Sequence, residues 1–590
     1  MMTRKLDMSA LLQAARDKKA AETEAPAAPP NTIIITGQLS LSERLANLRK
    51  GAGIAPVKEP TKEVKAAIKE TSGNAVGMSG ELITYNKNQN AFISFAASGE
   101  SCVLIGAAGT GKTTCSKGAI TALISSGKVP SLRDTAHKHL TDGTPGILII
   151  SYTRRAVNNI RKVQSEDMKQ NCITSHKLLE FAPEFFTIVD SESGMEKKSM
   201  RFVPGRDSSN PLPTTIHTIV VEEASMLSTA LYSDIINALS HSVQWIFIGD
   251  IQQLPPIFGP AILGFKLNEL PVVELTDVYR QALESPIIRL AHRILSGKPI
   301  PVEEYPEWKV EDQLTIHPLK KKLDPETACR VLAAFFKGAI VEGSYNPEED
   351  MILIPFNKAC GTLELNRHIA NFLARRSGAV THEVVAGYNK HYFSAGDKVL
   401  YDKEDAEIVS IHSNPTYTGA SYQICSENLD YWGHNPKLAE EVAASKGAGS
   451  SITSYGPNAD IDFLLESVSS DSEDRVTQAS HVITVRLADS ETDIEISKAA
   501  EVNSLLHAYA LTVHKAQGSE WRKVFLCLHH SHAVALQREL LYTGVTRARE
   551  ELYVICEPET FTKGIVNQKI KGSTLAEKAE FFKGKGDWNG

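Results

Sequence analysis

Gly106-Ala107-Ala108-Gly109-Thr110-Gly111-Lys112-Thr113 decides how this chain reads. It follows an apolar run, Cys102-Val103-Leu104-Ile105, and opens a helical stretch. Glycines at these places let backbone N–H groups close on phosphates, and a helix N-terminus favours their negative charge. The pattern G-x-x-x-x-G-K-[ST] predicts a phosphate cradle running from Gly106 through Thr113 to Thr114. In it Lys112 reaches the β and γ phosphates of a nucleotide and the Thr113 hydroxyl ligates magnesium.

Outward from the cradle, short apolar runs recur at Ile147–Ile150, Ile219–Val221 and Trp245–Ile248, with helical stretches between them. That alternation predicts a parallel sheet with crossover helices. Two of the runs end on polar groups that suit a nucleotide site. Glu222-Glu223 can divide the labour, one holding the magnesium shell and the other polarising an attacking water. In Gly249-Asp250-Ile251-Gln252-Gln253-Leu254-Pro255-Pro256, Gln253 can hydrogen-bond the γ-phosphate or its water. The plain alternatives are a solvated acidic strand end and a proline-stiffened turn.

Three later stretches complete a series: Val278-Tyr279-Arg280-Gln281, the run from Leu511 to Glu520 (LTVHKAQGSE) and the run from Leu541 to Arg549 (LYTGVTRAR). Upstream of the cradle stands Asn88-Gln89. In this order the motifs resemble those of superfamily 1 (1B) DNA helicases, and their wording resembles the RecD and Dda branch. The resemblance covers about residues 80–400 and 500–560. It implies an α/β fold of two RecA-like P-loop lobes with parallel sheets, plus a β-hairpin insertion and a small β domain inserted in the second lobe. It implies ATP and Mg2+ as cofactors at the lobe interface, with Gln89 reading adenine, Gly518 and Glu520 near the nucleotide, and Arg280 and Arg547 pointing at the γ-phosphate. It also implies 5′-to-3′ travel on single-stranded DNA laid across both lobes. Candidate contacts there are Thr153, Ser175, His176, Thr512 and His514, since hydroxyls and imidazoles hold phosphates without reading bases. One departure stands out: the family usually has Asp-Glu in its second motif, and Glu222 replaces the aspartate here. A translocase that displaces proteins without separating strands, and a motor-silent subunit of a recombination complex, remain open beside the helicase.

The rest of the chain divides around this frame. Residues 1–78, rich in Ala, Lys, Glu and Pro, read as a disordered tail with two short amphipathic pieces, Ser9–Ala15 and Ser42–Leu48, that could dock a replication protein. Residues 79–300 form the expected first lobe, interrupted by a hairpin over 185–213. Lys197, Lys198, Arg201 and Phe202 of that hairpin are a candidate wedge at a single-strand/duplex junction, or part of an ordinary surface hairpin. Residues 301–401 and 506–590 form the expected second lobe, and 402–505 the inserted β domain with a low-complexity loop.

Composition excludes several classes. No stretch reaches the roughly 18 uninterrupted apolar residues of a membrane span. The first residues show no apolar core of a secretion signal. The eight cysteines form no C-x-x-C pair, which predicts reduced thiols in a cytosol; the short tail and the compact motor layout that the resemblance implies suit a bacterial or phage-infected cytoplasm. His529-His530-Ser531-His532 follows a strand with no completing ligand pattern and is read as structural. The net charge of −7 requires any nucleic acid to sit in a locally basic groove.

Overall fold

The computed structural model describes residues 85–133, 136–189, 196–257, 259–276, 285–299, 308–311, 313–319, 322–387, 389–401, 404–417, 478–488 and 493–586. The expected tail with its two docking pieces, Arg280 with its motif, and the low-complexity loop lie outside these residues.

Among the described residues, eight strands precede residue 277. They are β1 (Cys102–Gly106), β2 (Ile147–Ser151), β3 (Cys172–Thr174), the hairpin pair β4 (Ala182–Val189) and β5 (Glu196–Val203), β6 (Thr218–Val221), β7 (Gln244–Gly249) and β8 (Val272–Leu275). Six form one all-parallel sheet in the order β3-β2-β6-β7-β1-β8. Every residue of β1, β2, β6 and β7 is buried, so these strands read as continuous apolar runs. Helices α1 (Lys87–Ala97), α2 (Lys112–Ser125), α3 (Arg154–Val163) and α4 (Ile262–Glu269) flank them.

The second sheet takes β9 (Trp308–Glu311), β10 (Leu314–Pro318), β11 (Met351–Ile354) and, much later, β19 (Ala510–Thr512), β20 (Trp521–Leu528) and β21 (Ala548–Cys556). Its order is β19-β11-β20-β21-β10-β9, parallel except for the antiparallel edge β9. Take the five core strands of each sheet in chain order. Both sheets then read third, second, fourth, fifth, first. The chain therefore holds two RecA-like lobes of one topology.

Between β11 and β19 lies the small β domain. A hairpin, β12 (Thr381–Ala386) with β13 (Asn389–Ser394), precedes a sheet of β14 (Lys398–Tyr401), β15 (Glu404–Ser413), β16 (Gln478–Leu487), β17 (Asp493–Lys498) and β18 (Leu506–His507). The sheet order is β17-β16-β15-β14-β18. Val384, Ala386 and Phe393 of the hairpin share its core with Ile408, Ile483 and Val485. The expected boundary at 402 falls inside this unit, because β14 is bonded on both sides by strands of the same sheet.

Two helices cross the expected lobe boundaries. α5 (Pro286–Leu295) turns Ile287, Leu290, Ala291 and Ile294 into the second-lobe core, against α8 (Arg538–Val545). That i, i+3, i+4, i+7 stripe buries wherever a complementary apolar face lies. Helices α6 (Pro325–Glu342) and α7 (Thr362–Ser377) cover the other side of the second sheet. α9 (Leu575–Lys583) returns to the first lobe, where the Phe582 ring meets Phe265 edge-on at 5.4 Å. A Cβ at Gly264 would stand 2.3 Å from that ring, so the close approach needs glycine. Among the described residues no helix is long and apolar enough to cross a membrane.

Candidate nucleotide site between the two lobes

β1 delivers the chain to Gly106 and α2 takes it away from Lys112. The turn between them depends on left-handed glycines, Gly109 at φ 79° and Gly111 at φ 82°. At Gly106 an added Cβ would lie 2.3 Å from Thr110 Oγ1. Thr110 Oγ1 donates to Ala107 O (2.8 Å) and ties the loop to itself. Lys112 Nζ donates to Gly106 O (2.9 Å) and Ala107 O (3.1 Å), which holds the ammonium over the loop. No side chain caps α2, so its first amides keep their capacity for an anion. Thr113 is exposed and Thr114 half-buried beside it.

β6 brings two carboxylates to the same place. Glu222 is 8% exposed; burial foremost, with the charge of Glu223, pushes its pKa up to about 7, against the pull of Ser116 and Lys112. Glu223 adopts the left-handed region at φ 51°, at a cost of roughly 1–3 kcal/mol for a non-glycine residue. Its Oε2 is buried with no hydrogen-bond partner among the described residues, and so is Gln253 Oε1. Each orphaned acceptor costs about 1–3 kcal/mol unless something donates to it. Metal-bound water and an attacking water are such donors. The uncapped helix, the glycine cradle and these two acceptors together fit a magnesium nucleotide.

The second lobe closes on this site through α8 and the turn before β20. Tyr542 Oη accepts from Ala108 N (2.9 Å) and donates to Asp250 Oδ2 (2.6 Å). Thr543 Oγ1 accepts from Leu254 N (3.0 Å), and Gln517 Nε2 donates to Leu254 O (2.9 Å). Leu254 itself is fully buried in the second-lobe core. Asn159 Nδ2 donates to Gly518 O (2.8 Å), and a Cβ at Gly518 (φ 76°) would stand 2.7 Å from Ala156 and 2.9 Å from Thr153 Oγ1. Arg155 pairs with Asp405 of the β domain and lies over the Trp521 ring at 5.6 Å.

Other expected residues occupy less direct places. Arg547 is 4% exposed and spends its guanidinium on its own lobe, donating to Thr543 O (3.0 Å), Ser519 O (3.1 Å) and Thr546 Oγ1 (3.3 Å). Two of its five donors remain. Glu520 is exposed just past Gly518. Gln89 is fully buried and forms a capping box with Asn86 at the start of α1, each side chain accepting from the other's amide at 2.9 Å.

The expected DNA contacts follow strands β2, β3 and β19, at the same end of each sheet. Thr153 caps α3 by accepting from Ala156 N (3.2 Å), and Thr512 accepts from Lys515 N (3.2 Å). Such a cap contributes about 1 kcal/mol. His176 is half-buried between the rings of Tyr152 and Phe181. His514 is partly buried; burial, then the charge of Lys569, lowers its pKa to about 4, so it is neutral near pH 7. Ser175 differs from its expected role: it is fully buried and its hydroxyl donates to Ser151 O (3.4 Å). Its hydroxyl joins β3 to β2.

The hairpin β4–β5 pairs Lys197 with Ile188, Lys198 with Thr187, Arg201 with Glu184 and Phe202 with Pro183. Phe202 is 59% exposed. The hairpin's feet are joined by a buried ion pair that no sequence pattern announced: Arg206 Nε donates to Glu180 Oε2 at 2.7 Å. Also missed was Asn357-Lys358, after β11. Shared strand order makes this loop the second-lobe counterpart of the Tyr152-Thr153 loop after β2. The signal was present, an apolar strand then Asn-Lys before a helix, but only the topology makes it the equivalent place. His529, His530 and Glu557 stand close enough to share a cation. Yet both His529 ring nitrogens have protein partners, Leu323 O (2.9 Å) and Ser531 Oγ (2.8 Å), and His530 Nδ1 bonds Glu557 (2.8 Å).

Comparison with known proteins agrees with this arrangement. An AAA domain family matches residues 89–259, and the UvrD-like helicase C-terminal domain matches 507–555. The chain is 26% identical over 342 residues to the ATP-dependent RecD2 DNA helicase of Deinococcus radiodurans, covering 58% of this chain and 36% of that protein. It is 22% identical over 487 residues to the RecBCD enzyme subunit RecD of Buchnera aphidicola, covering 78% of this chain and 71% of the relative. The chain thus spans about a third of the length of the first of these relatives. A solved structure of two coordinating Pif1 helicases at forked duplex DNA overlaps 85% of this chain and 98% of that one, at 14% identity and a TM-score of 0.43, too low to carry weight. In its two matched domains, its RecD relatives and the order of its motifs, the chain is similar to the RecD-like branch of the superfamily 1 helicases.

Proposed function

We propose that this chain is an ATP-dependent DNA helicase that moves 5′-to-3′ along single-stranded DNA. The observation that carries the reading is the cleft itself: a phosphate cradle and two orphaned acceptors on one lobe, gripped by hydrogen bonds from the other. Bound MgATP supplies a cleavable γ-phosphate and the charge that draws the lobes together.

The chain's own groups have separate tasks. The cradle amides and Lys112 bind the phosphates, and Gln89 borders the base. Thr113 and Glu222 would hold magnesium, Thr113 by its hydroxyl and Glu222 through water, a contact that the extra methylene of glutamate suits. Glu223 Oε2 accepts a proton from the attacking water, and Gln253 Oε1 orients it. Arg280 and Arg547 compensate charge on the γ-phosphate, Arg547 by exchanging its bonds to Thr543 and Ser519. Because these arginines bridge the lobes only while that phosphate is present, hydrolysis loosens closure and the lobes step along the strand.

Single-stranded DNA and single-strand/duplex junctions are the proposed substrates, with Thr153, His176, Thr512, His514 and the Asn357-Lys358 loop along the track. The hairpin carrying Lys197, Lys198, Arg201 and Phe202 is the proposed wedge. A replication protein held by the N-terminal segment is the proposed partner, in a bacterial or phage-infected cytoplasm. ATP hydrolysis with and without oligo-dT tests the reading. At least about tenfold stimulation is expected; hydrolysis indifferent to DNA would overturn it.

A further inference from the structure

We infer that Tyr542 is a positioning residue through which the second lobe sets the phosphate cradle and the Asp250–Leu254 turn for turnover. The inference rests on reading the cleft as an ATP site and goes beyond it by naming the group that makes hydrolysis depend on closure.

Tyr542 lies on α8 of the second lobe and its ring is 1% exposed. Its single hydroxyl makes two bonds, both to the first lobe. It accepts from the amide of Ala108, the third residue of the cradle, and donates to the Asp250 carboxylate at 2.6 Å, the short distance of a charge-assisted bond. Burial, and then the negative charge of Asp250, hold the phenol well above its ordinary pKa, so the O–H remains a donor throughout the physiological range. The other Asp250 oxygen accepts from Gln252 N (2.9 Å), which fixes the backbone just before Gln253. At the far end of the turn, Thr543 and Gln517 take both polar groups of Leu254.

One hydroxyl therefore joins three things: the second lobe, an amide of the cradle and the turn that carries Gln253. If α8 shifts by even an ångström or two, the Ala108 amide and the buried Asp250 carboxylate both lose the hydroxyl they share, and Asp250, at 1% exposure, has no water at hand to replace it. Arg547, five residues along, is tied to Thr543 O, so the same shift moves the guanidinium. Closure, cradle geometry and the placement of Gln253 and Arg547 thus change together.

The test uses the full chain carrying Tyr542→Phe, Asp250→Asn, or both. Phenylalanine keeps the ring and removes only the O–H. The readouts are affinity for a fluorescent ADP analogue, kcat with saturating oligo-dT, and the thermal midpoint. Expected for Tyr542→Phe is nucleotide affinity within about threefold of wild type and kcat at least about tenfold lower. The Asp250→Asn chain should lose kcat similarly, and the double variant should be no worse than the worse single one, since both break the same relay. If Tyr542→Phe does not fold, Asp250→Asn alone must show the same split between affinity and kcat. A Tyr542→Phe kcat within about twofold of wild type, additive losses in the double variant, or affinity falling in step with kcat would each overturn the inference while wild type stays active. A wild-type chain without DNA-stimulated hydrolysis would overturn the helicase reading, and this inference with it.

Discussion

The two lobes share one strand order and almost nothing else that matters to chemistry. After β1 the first lobe makes a glycine turn and presents Lys112. Between the equivalent strand β10 and α6 the second lobe has no glycine; there Asp324 caps α6 by accepting from Thr327 N (2.9 Å), so that helix end carries its own anion. A helix already capped by a carboxylate has no use for a phosphate. One frame thus appears twice, once as a nucleotide holder and once as a part that grips the holder. The lesson is that topology alone predicts two lobes and says nothing of which one binds; the residues at the strand ends decide that.

Several changes would break or sharpen this division of labour. The largest effect is expected from Lys112→Ala, which should abolish hydrolysis and weaken nucleotide binding while leaving the thermal midpoint within a few degrees. Next comes Arg547→Ala. If the second lobe supplies turnover and the first supplies binding, kcat should fall by about 10³-fold or more with nucleotide affinity largely kept. Parallel losses of affinity in both variants would erase the distinction. Gly518→Ala introduces a Cβ within 3 Å of Ala156 and Thr153 at a left-handed residue, so it should prop the lobes apart and lower kcat by roughly tenfold. Lys358→Ala removes an exposed charge from the second-lobe loop; oligo-dT binding should weaken severalfold, and the slope of log affinity against log salt should shrink by about one.

The smallest effect concerns stability in the second lobe alone. His532 is fully buried, and burial, with His529, lowers its pKa to about 4. Unfolded, it titrates near the ordinary histidine value of about 6.5. A base with a depressed folded pKa contributes stability that is whole above the unfolded value and lost as pH falls toward the folded one. Between about pH 6.5 and 4 the chain should therefore lose up to roughly 3 kcal/mol from this residue. His532→Asn should flatten the fall of the thermal midpoint over that window; an unchanged slope would contradict the assignment.

The cradle and the carboxylate pair were legible because each is local: a strand, a turn and a helix end lie within a dozen residues; the two-lobe architecture was legible only through the resemblance carried by the ordered motifs. What the sequence hid depends on distance. Tyr542 was visible only as a letter in a motif, because its partners Ala108 and Asp250 are 434 and 292 residues away. The start of the β domain was set too late, since strand β14 looks like any apolar run until its neighbours β15 and β18 are known. Helices α5 and α9 were given to the wrong neighbour in sequence, because an amphipathic stripe declares that it will be buried, not against which core. Ser175 shows the same limit at one atom: a hydroxyl after a strand can face solvent or tie two strands together, and only packing chooses.

The central claim is tested most directly by unwinding. Duplexes with a 5′ or a 3′ single-stranded tail are mixed with the chain, ATP and magnesium, with Lys112→Ala as the blank. Opening of the 5′-tailed duplex alone is the predicted result. Opening of the 3′-tailed duplex alone would contradict the polarity, and DNA-stimulated hydrolysis with neither duplex opened would contradict the helicase itself.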